Sequence, residues 1–423
     1  MVLERYIIEL SSNIVHLGLT MITDCEVCGN LVNKRTINLG SHPLCDDMVK
    51  IGSPKRAKEF LQKIWLCDNC YTAHQLYQVP KEMLFTPQYR YRSALTQDVL
   101  NGMNELVNFT LKNLNLPLKP IILDVGCNDG SLLKLFKSNF DCFTIGVDPT
   151  NSIKEAQESI DLPIQSYFDE ICATNIVDKV GKPDLITFTN VFAHIENLNN
   201  VLDSLRILLN KTTKIIIENH YLGSILQSTQ FDTFYHEHPR TYSLSSFVFI
   251  AEHLGLNIEH VSFPNRYGGN IRVVLSKNKP FISLDYLVQK EKNLPIKFMD
   301  MQNYFDSWKL NGKQIFTDLI RNGPIYGKAL PGRAVMLISS LGIDYEAMPA
   351  VFEQANSPKI GNYVPGTKIQ ILPDSELHTL SGNKIIVWAW HIVPEVVDYL
   401  AKIGYKGEVW IPLPEFKLFA TIK

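Results

Sequence analysis

The sequence has no surplus of charge of either sign: 41 lysines and arginines stand against 43 aspartates and glutamates, a formal net charge of −2. Proteins that track a phosphate backbone need clustered cations in excess, so nothing here points to a nucleic-acid partner. Long hydrophobic runs are missing too. No stretch reaches the roughly 20 apolar residues that cross a bilayer, and the opening segment, broken by Glu4, Arg5 and Glu9, does not read as an export signal. No membrane association is expected. Repeats and low-complexity linkers are absent as well, and no pattern decides between a monomer and a dimer.

What is present is the composition of a globular protein, 45% hydrophobic and 20% charged, with no sign of extended disorder. At 423 residues the chain calls for two or three domains. Met21 has the context of a natural start, so residues 1–20 read as an N-terminal extension. The organised sequence divides into segments 21–85, 86–314 and 315–423.

Eight cysteines in a large chain without an export signal fit a reducing cytoplasm better than a disulfide framework. Four of them form two C-x-x-C pairs, Cys25 with Cys28 and Cys67 with Cys70. Two residues between ligands let both thiolates of a turn reach one ion, and two such turns fill the four positions of a closed zinc site. With no position left for water, such an ion is structural. Cys45, Cys127, Cys142 and Cys172 lie outside the pattern and read as small buried side chains.

A helical segment follows, ending where Pro117 and Pro120 forbid continuation. Beyond it, PIILDVGCNDGSLLKLF reads as strand, glycine turn and amphipathic helix, and FTIGVDP as a second strand ending in Asp148. This is the opening of a doubly wound α/β domain, with Asp124, Gly126, Cys127, Asn128 and Gly130 in the turn beside an adenosine and Asp148 accepting from its ribose hydroxyls. The second close glycine that admits a pyrophosphate is replaced by Asn128, which favours S-adenosylmethionine over a dinucleotide. KPDLITFTNVFAHIEN reads as a strand with Asn190 and His194 at its ligand-binding end.

The densest titratable cluster is Tyr235, His236, Glu237 and His238, in a segment with neither helical nor strand periodicity. Such a loop makes a poor core. A histidine titrating near neutrality beside a carboxylate that orients it is the arrangement of a general base.

The Y-H-E-H loop followed by Y-S-L resembles the signature of the nucleotide-sugar C-methyltransferases of deoxysugar biosynthesis. The paired C-x-x-C motifs, YRYRS at 89–93, DVGCNDGSLL, NVFAHI, NRYGGNIRV and NSPKIGNYVPGTKI resemble blocks of that family in the same order. The resemblance implies an α/β protein: a small N-terminal zinc-binding domain, a central class I methyltransferase domain of Rossmann-like form, and a C-terminal Rossmann-like domain that holds a nucleotide sugar. It implies methylation of a sugar carbon, typically C3, beside a C4 ketone. His238 would be the base, Glu237 would orient it, Tyr235 would hydrogen-bond the sugar or its developing oxyanion, His194 would stand by the reacting carbon, and Tyr91, or Tyr89 in its place, would be the family's substrate-contacting tyrosine. Tyr89, His236, Asn270, Arg272, Tyr326, Gly327 and Lys328 would contact the substrate. An O-methyltransferase is the competing reading, since deprotonating a hydroxyl needs no neighbouring ketone.

From about residue 315 the pattern alternates strand and helix, favouring a second parallel unit, with no acidic ribose-binding signal evident. Here the chain departs from the family. Pro331, Gly332, Arg333 and Ala334 stand where Lys-Gly-Asn-Thr is usual, and His391 follows Trp390 where Asn is usual.

Overall fold

The computed structural model describes residues 18–95, 97–281, 283–379 and 384–423. The expectation for residues 1–17 lies outside these. Thr20, inside the expected extension, pairs with Gln78, and Met21, the expected start of the first domain, with Tyr77, in a short antiparallel ladder.

A helix α1 (Gln97–Asn113) leads in, burying Val99, Met103, Leu106 and Val107 at helical spacing. Seven strands then form one sheet: β1 (Ile121–Val125), β2 (Phe143–Val147), β3 (Leu162–Ile164), β4 (Leu185–Thr189), β5 (Lys214–His220), β6 (Asn257–Ser262) and β7 (Asn270–Ser276). Their order is β6-β7-β5-β4-β1-β2-β3. The first five are parallel and covered on both faces, which is why they read as nearly continuous apolar runs. β7 enters antiparallel between β5 and β6. The strand order reverses between β1 and β4, so their carboxyl ends open a crevice there. This is the class I methyltransferase arrangement expected for the central segment.

The turn after β1 leads into helix α2 (Ser131–Asn139), and the sequence boundary at 314/315 falls inside one unbroken helix, α3 (Leu294–Ile320). Along α3, Phe298, Met301, Phe305, Trp308 and Phe316 are buried against strand Thr36–Pro43 and the C-terminal unit. The change of unit is made along a helix, where no break in periodicity marks it.

The second sheet contains β8 (Tyr326–Lys328), β9 (Ala350–Glu353), β10 (Gln370–Pro373), β11 (Lys384–Val387), β12 (Gly407–Ile411) and β13 (Lys417–Ile422). Neighbours β12-β11-β8-β9-β10 are parallel, with helices α4 (Ala334–Leu341) and α5 (Val393–Lys402) as crossovers. Its order reverses at β8. Val49–Lys50 from the front of the chain closes one edge of this sheet through Asn362–Tyr363. The front segment likewise builds a four-stranded sheet that takes Arg240–Thr241 as its last strand. The three sheets are thus interlocked by chain segments distant in sequence.

Candidate active site

The carboxyl ends of both parallel sheets and part of the front segment surround one cavity of about 660 Å³, within the range of small-molecule sites. On the central side its wall is the turn after β1. Gly126 and Gly130 have φ of 72° and 75°, and a side chain at Gly126 would lie 2.5 Å from Val191. Only glycine lets the backbone pass there. The N–H groups of Gly126 and Cys127 reach back to Val147 O, locking the turn onto β2.

Asp148 is almost wholly buried at the cavity edge. It accepts from Asn128 N–H at 3.0 Å and from the N–H and hydroxyl of Thr150, so its carboxylate is held in one orientation. Asp124 accepts from the Thr187 hydroxyl at 2.6 Å; burial, with the Asp148 charge adding to it, pushes its carboxyl up to about 7. The Asn128 amide is spent on the chain carrying the tyrosines: its oxygen accepts from Ser93 N–H and its nitrogen donates to Tyr91 O.

The Y-H-E-H segment is not a surface loop. Phe231, Thr233, Phe234, His236, Glu237 and His238 are buried, because the front sheet supplies the partners that its irregular backbone cannot find in itself. Gln75 donates to the carbonyls of Tyr235 and His238, Gln62 to that of Phe234, and the His236 ring meets Phe60 O at 3.0 Å. His238 Nδ1 lies 2.8 Å from Thr233 O, so Nδ1 carries the ring proton and Nε2 keeps its lone pair. Three aromatic rings crowd it, with centroids at 4.4 Å for Tyr235, 4.7 Å for His194 and 5.3 Å for His220. Burial drives His238 well below the usual histidine range, helped by the neighbouring histidines, and His194 falls to about 4 for the same leading reason. These imidazoles are neutral near pH 7 and able to accept a proton.

The expectation that Glu237 orients His238 is overturned. Its carboxylate accepts from Cys45 S–H at 2.7 Å and from the Tyr89 hydroxyl at 2.8 Å, while His238 is oriented by Thr233 O. Burial pushes Glu237 up to about 7, the two hydrogen bonds pulling the other way. Its own carbonyl holds His194 Nδ1 at 2.8 Å.

The sulfurs of Cys25, Cys28, Cys67 and Cys70 lie within 4.8 Å of one another. Two of the separations, 3.4 and 3.6 Å, approach the edge of about 3.8 Å that a tetrahedron with Zn–S near 2.3 Å requires. Each C-x-x-C closes a tight turn, with Gly29 N–H on Cys25 O and Tyr71 N–H on Cys67 O. The four residues are compatible with a zinc ion. His74 stands 3.2 Å from the Cys25 sulfur, stacked on Trp65, and its other nitrogen faces Glu26, which pairs with Arg240. The cysteine cluster is therefore tied to the strand that follows His238.

Two family models match in tandem, a methyltransferase domain over residues 95–261 and a C-methyltransferase C-terminal domain over residues 265–414. The protein is an S-adenosylmethionine-dependent methyltransferase. A curated relative, C-methyltransferase NovU of Streptomyces niveus, is 22% identical over 414 residues, spanning 95% of this methyltransferase and 97% of NovU. Among solved structures, a SAM-dependent methyltransferase from Archaeoglobus fulgidus (18% identity, TM-score 0.35, 98% of its length) and the magnesium protoporphyrin IX methyltransferase of Synechocystis (15%, 0.33, 84%) each overlay 43% of the chain.

Not every residue expected at the methyltransferase's site reaches the cavity. Cys127, Asn190, Tyr89, Tyr91, Tyr235 and Lys328 line it, although Lys328 spends its charge on Asp374 at 2.8 Å. Asn270 and Arg272 do not line it: both are turned onto the wholly buried Glu218, an acid that needs their donors to be tolerated without water. His236 faces the front sheet. Tyr326 packs in the second unit's core, and a side chain at Gly327 would strike Val351 and Trp388.

Other residues line the cavity unforeseen. His220 ends β5 and Glu353 ends β9, positions at strand carboxyl ends that could have marked them. Glu353 is an acid at the carboxyl end of β9, beside the turn after β8, and that register becomes visible only once the parallel pairing is known. Tyr267, Cys45, Arg333 and His391 arrive through tertiary contact alone.

Proposed function

We propose that the protein methylates C3 of a nucleotide-linked 4-keto-6-deoxy sugar. The observation that carries this reading is His238, neutral, buried, with Nε2 unprotonated, at the meeting of the glycine turn and the second sheet's crevice. A ketone acidifies the neighbouring C–H, and a neutral imidazole with a free Nε2 can take that proton; burial keeps this base unprotonated while lowering its basicity. S-adenosylmethionine, when bound, supplies an electrophilic methyl on a sulfonium. Asp124, Gly126, Cys127, Asn128, Gly130 and Asn190 would cradle it, and the fixed carboxylate of Asp148 would take its ribose hydroxyls.

Tyr235 and His194, in ring contact with His238, would confine the sugar against that base, with Tyr91 across the cavity. Glu237, with a pKa near neutrality and tied to Tyr89 and Cys45, would serve as a proton reservoir at the sugar. The nucleotide would lie in the second crevice, with Glu353 on its ribose and Lys328 holding the wall through Asp374. The four cysteines would hold a structural zinc ion that braces the catalytic loop through its tie to Arg240.

The test is incubation in heavy water with nucleotide 4-keto-6-deoxy sugars, with and without S-adenosylmethionine. Deuterium entering beside the ketone without the methyl donor, a carbon-bound methyl with it, and loss of both in His238→Asn are the expected results. A methyl on oxygen, or no exchange with any such sugar, overturns the reading.

A further inference from the structure

Arg333 closes the turn after β8, at the point where the second sheet reverses, and its guanidinium is buried. Nε and Nη2 each donate at 2.7 Å to the two oxygens of Asp232, which has no exposed surface. Asp232 sits in the helical turn Phe231–Phe234, just ahead of the catalytic residues. The Trp390 indole N–H reaches the same carboxylate at 2.9 Å, and its ring lies 5.1 Å from the guanidinium carbon. The side chain is therefore fixed on three sides.

On the fourth side no described protein group meets the guanidinium. Nη1 is buried without a hydrogen-bond partner among the described residues, as are the Thr233 hydroxyl and His391 Nδ1; all three residues line the cavity. A buried polar atom left unpaired is costly, and these three belong to residues around one chamber, where polar ligand atoms could satisfy them. Thr233 is also the residue whose carbonyl orients His238. Burial is the main reason the imidazoles of His238, His220 and His391 stay neutral, and the Arg333 charge adds to it.

We infer that Arg333 Nη1, together with the Thr233 hydroxyl, is the donor pair for the substrate oxygen that becomes negative when His238 removes the carbon-bound proton. This rests on the C-methylation reading above. His238 Nε2 takes the proton, the C–H pair becomes the new C=C bond, and the carbonyl π pair moves onto oxygen, which accepts hydrogen bonds from Arg333 Nη1–H and the Thr233 hydroxyl. The methyl donor, when bound, would give its methyl to the enolate carbon and keep the S–C pair as a neutral thioether, and the carbonyl would re-form. A fixed cation aimed at the developing charge in a dry chamber is an effective form of electrostatic catalysis. Asp232, Gln230 at 3.2 Å and Trp390 are positioning residues.

The experiment measures solvent-deuterium exchange over a range of 4-keto sugar concentrations up to saturation without S-adenosylmethionine, alongside calorimetric binding of that cofactor and thermal unfolding. Arg333→Lys keeps a cation for Asp232 but spends it there; exchange should fall by about 100-fold, the usual loss on removing one such donor, with cofactor affinity and unfolding midpoint unchanged. Arg333→Ala with Asp232→Asn removes the pair together, and added guanidinium ion should restore exchange. Wild-type exchange rates in Arg333→Lys, or a loss confined to KM, would overturn the inference while leaving C-methylation intact. Absence of exchange in the wild-type protein would sink both.

Discussion

Glu237 occupies a place that disfavours its charge, and this should be visible in stability. Burial lifts its carboxyl from the ordinary 4.5 to about 7. Between those values the folded protein binds a proton that the unfolded chain has released, so stability falls as pH rises through the window and levels off above about 7. At 1.36 kcal/mol per pH unit, the loss is about 3 kcal/mol, an order-of-magnitude figure. Glu237→Gln keeps the shape and an acceptor for Cys45 or Tyr89 but has no proton to lose. We expect the denaturation midpoint of the wild type to drop more between pH 5 and pH 8 than that of the variant. Infrared titration reads the group directly: the wild-type-minus-variant difference should contain a protonated-carboxyl band that disappears with a midpoint near pH 7. Parallel stability curves, or a band lost near 4.5, would refute the account of a desolvated carboxyl held by two weak donors.

Three further outcomes follow from the geometry. Gly126→Ala forces a side chain to within 2.5 Å of Val191 at a φ of 72°, and calorimetry should show S-adenosylmethionine binding weakened by about tenfold or more, 1.4 kcal/mol per decade; unchanged affinity would contradict the cradle. Cys67→Ser should reduce zinc, measured by elemental analysis, from one ion per chain and weaken the remaining affinity by more than the roughly 10–100-fold typical of losing an outer partner. Exchange at the sugar should fall with it, because the same sheet carries Gln75 to the carbonyls of Tyr235 and His238. Glu353→Gln keeps the Leu330 N–H contact but weakens acceptance from a ribose diol, so KM for a ribonucleotide-linked sugar should rise by about tenfold while the 2′-deoxy counterpart is unaffected; equal effects on both would remove Glu353 from the ribose.

Local sequence determined what local physics governs. The apolar run into a glycine turn, the acid after the second strand, and the paired C-x-x-C turns are short-range features, and all stand where the pattern put them. What tertiary structure decided is which side chains share a chamber and which spend their donors elsewhere. Arg272 and Asn270 looked available, yet the buried Glu218 claims them; adjacency made Glu237 the natural orienter of His238, yet Cys45, some 190 positions earlier, takes its carboxylate. Arg333, which looked like drift in a divergent domain, became a catalytic candidate because Asp232, about a hundred residues away, fixes it and leaves one edge free. A sequence specifies each donor and acceptor, but a buried polar group must be satisfied by whatever the fold brings to it, and that pairing is made in three dimensions.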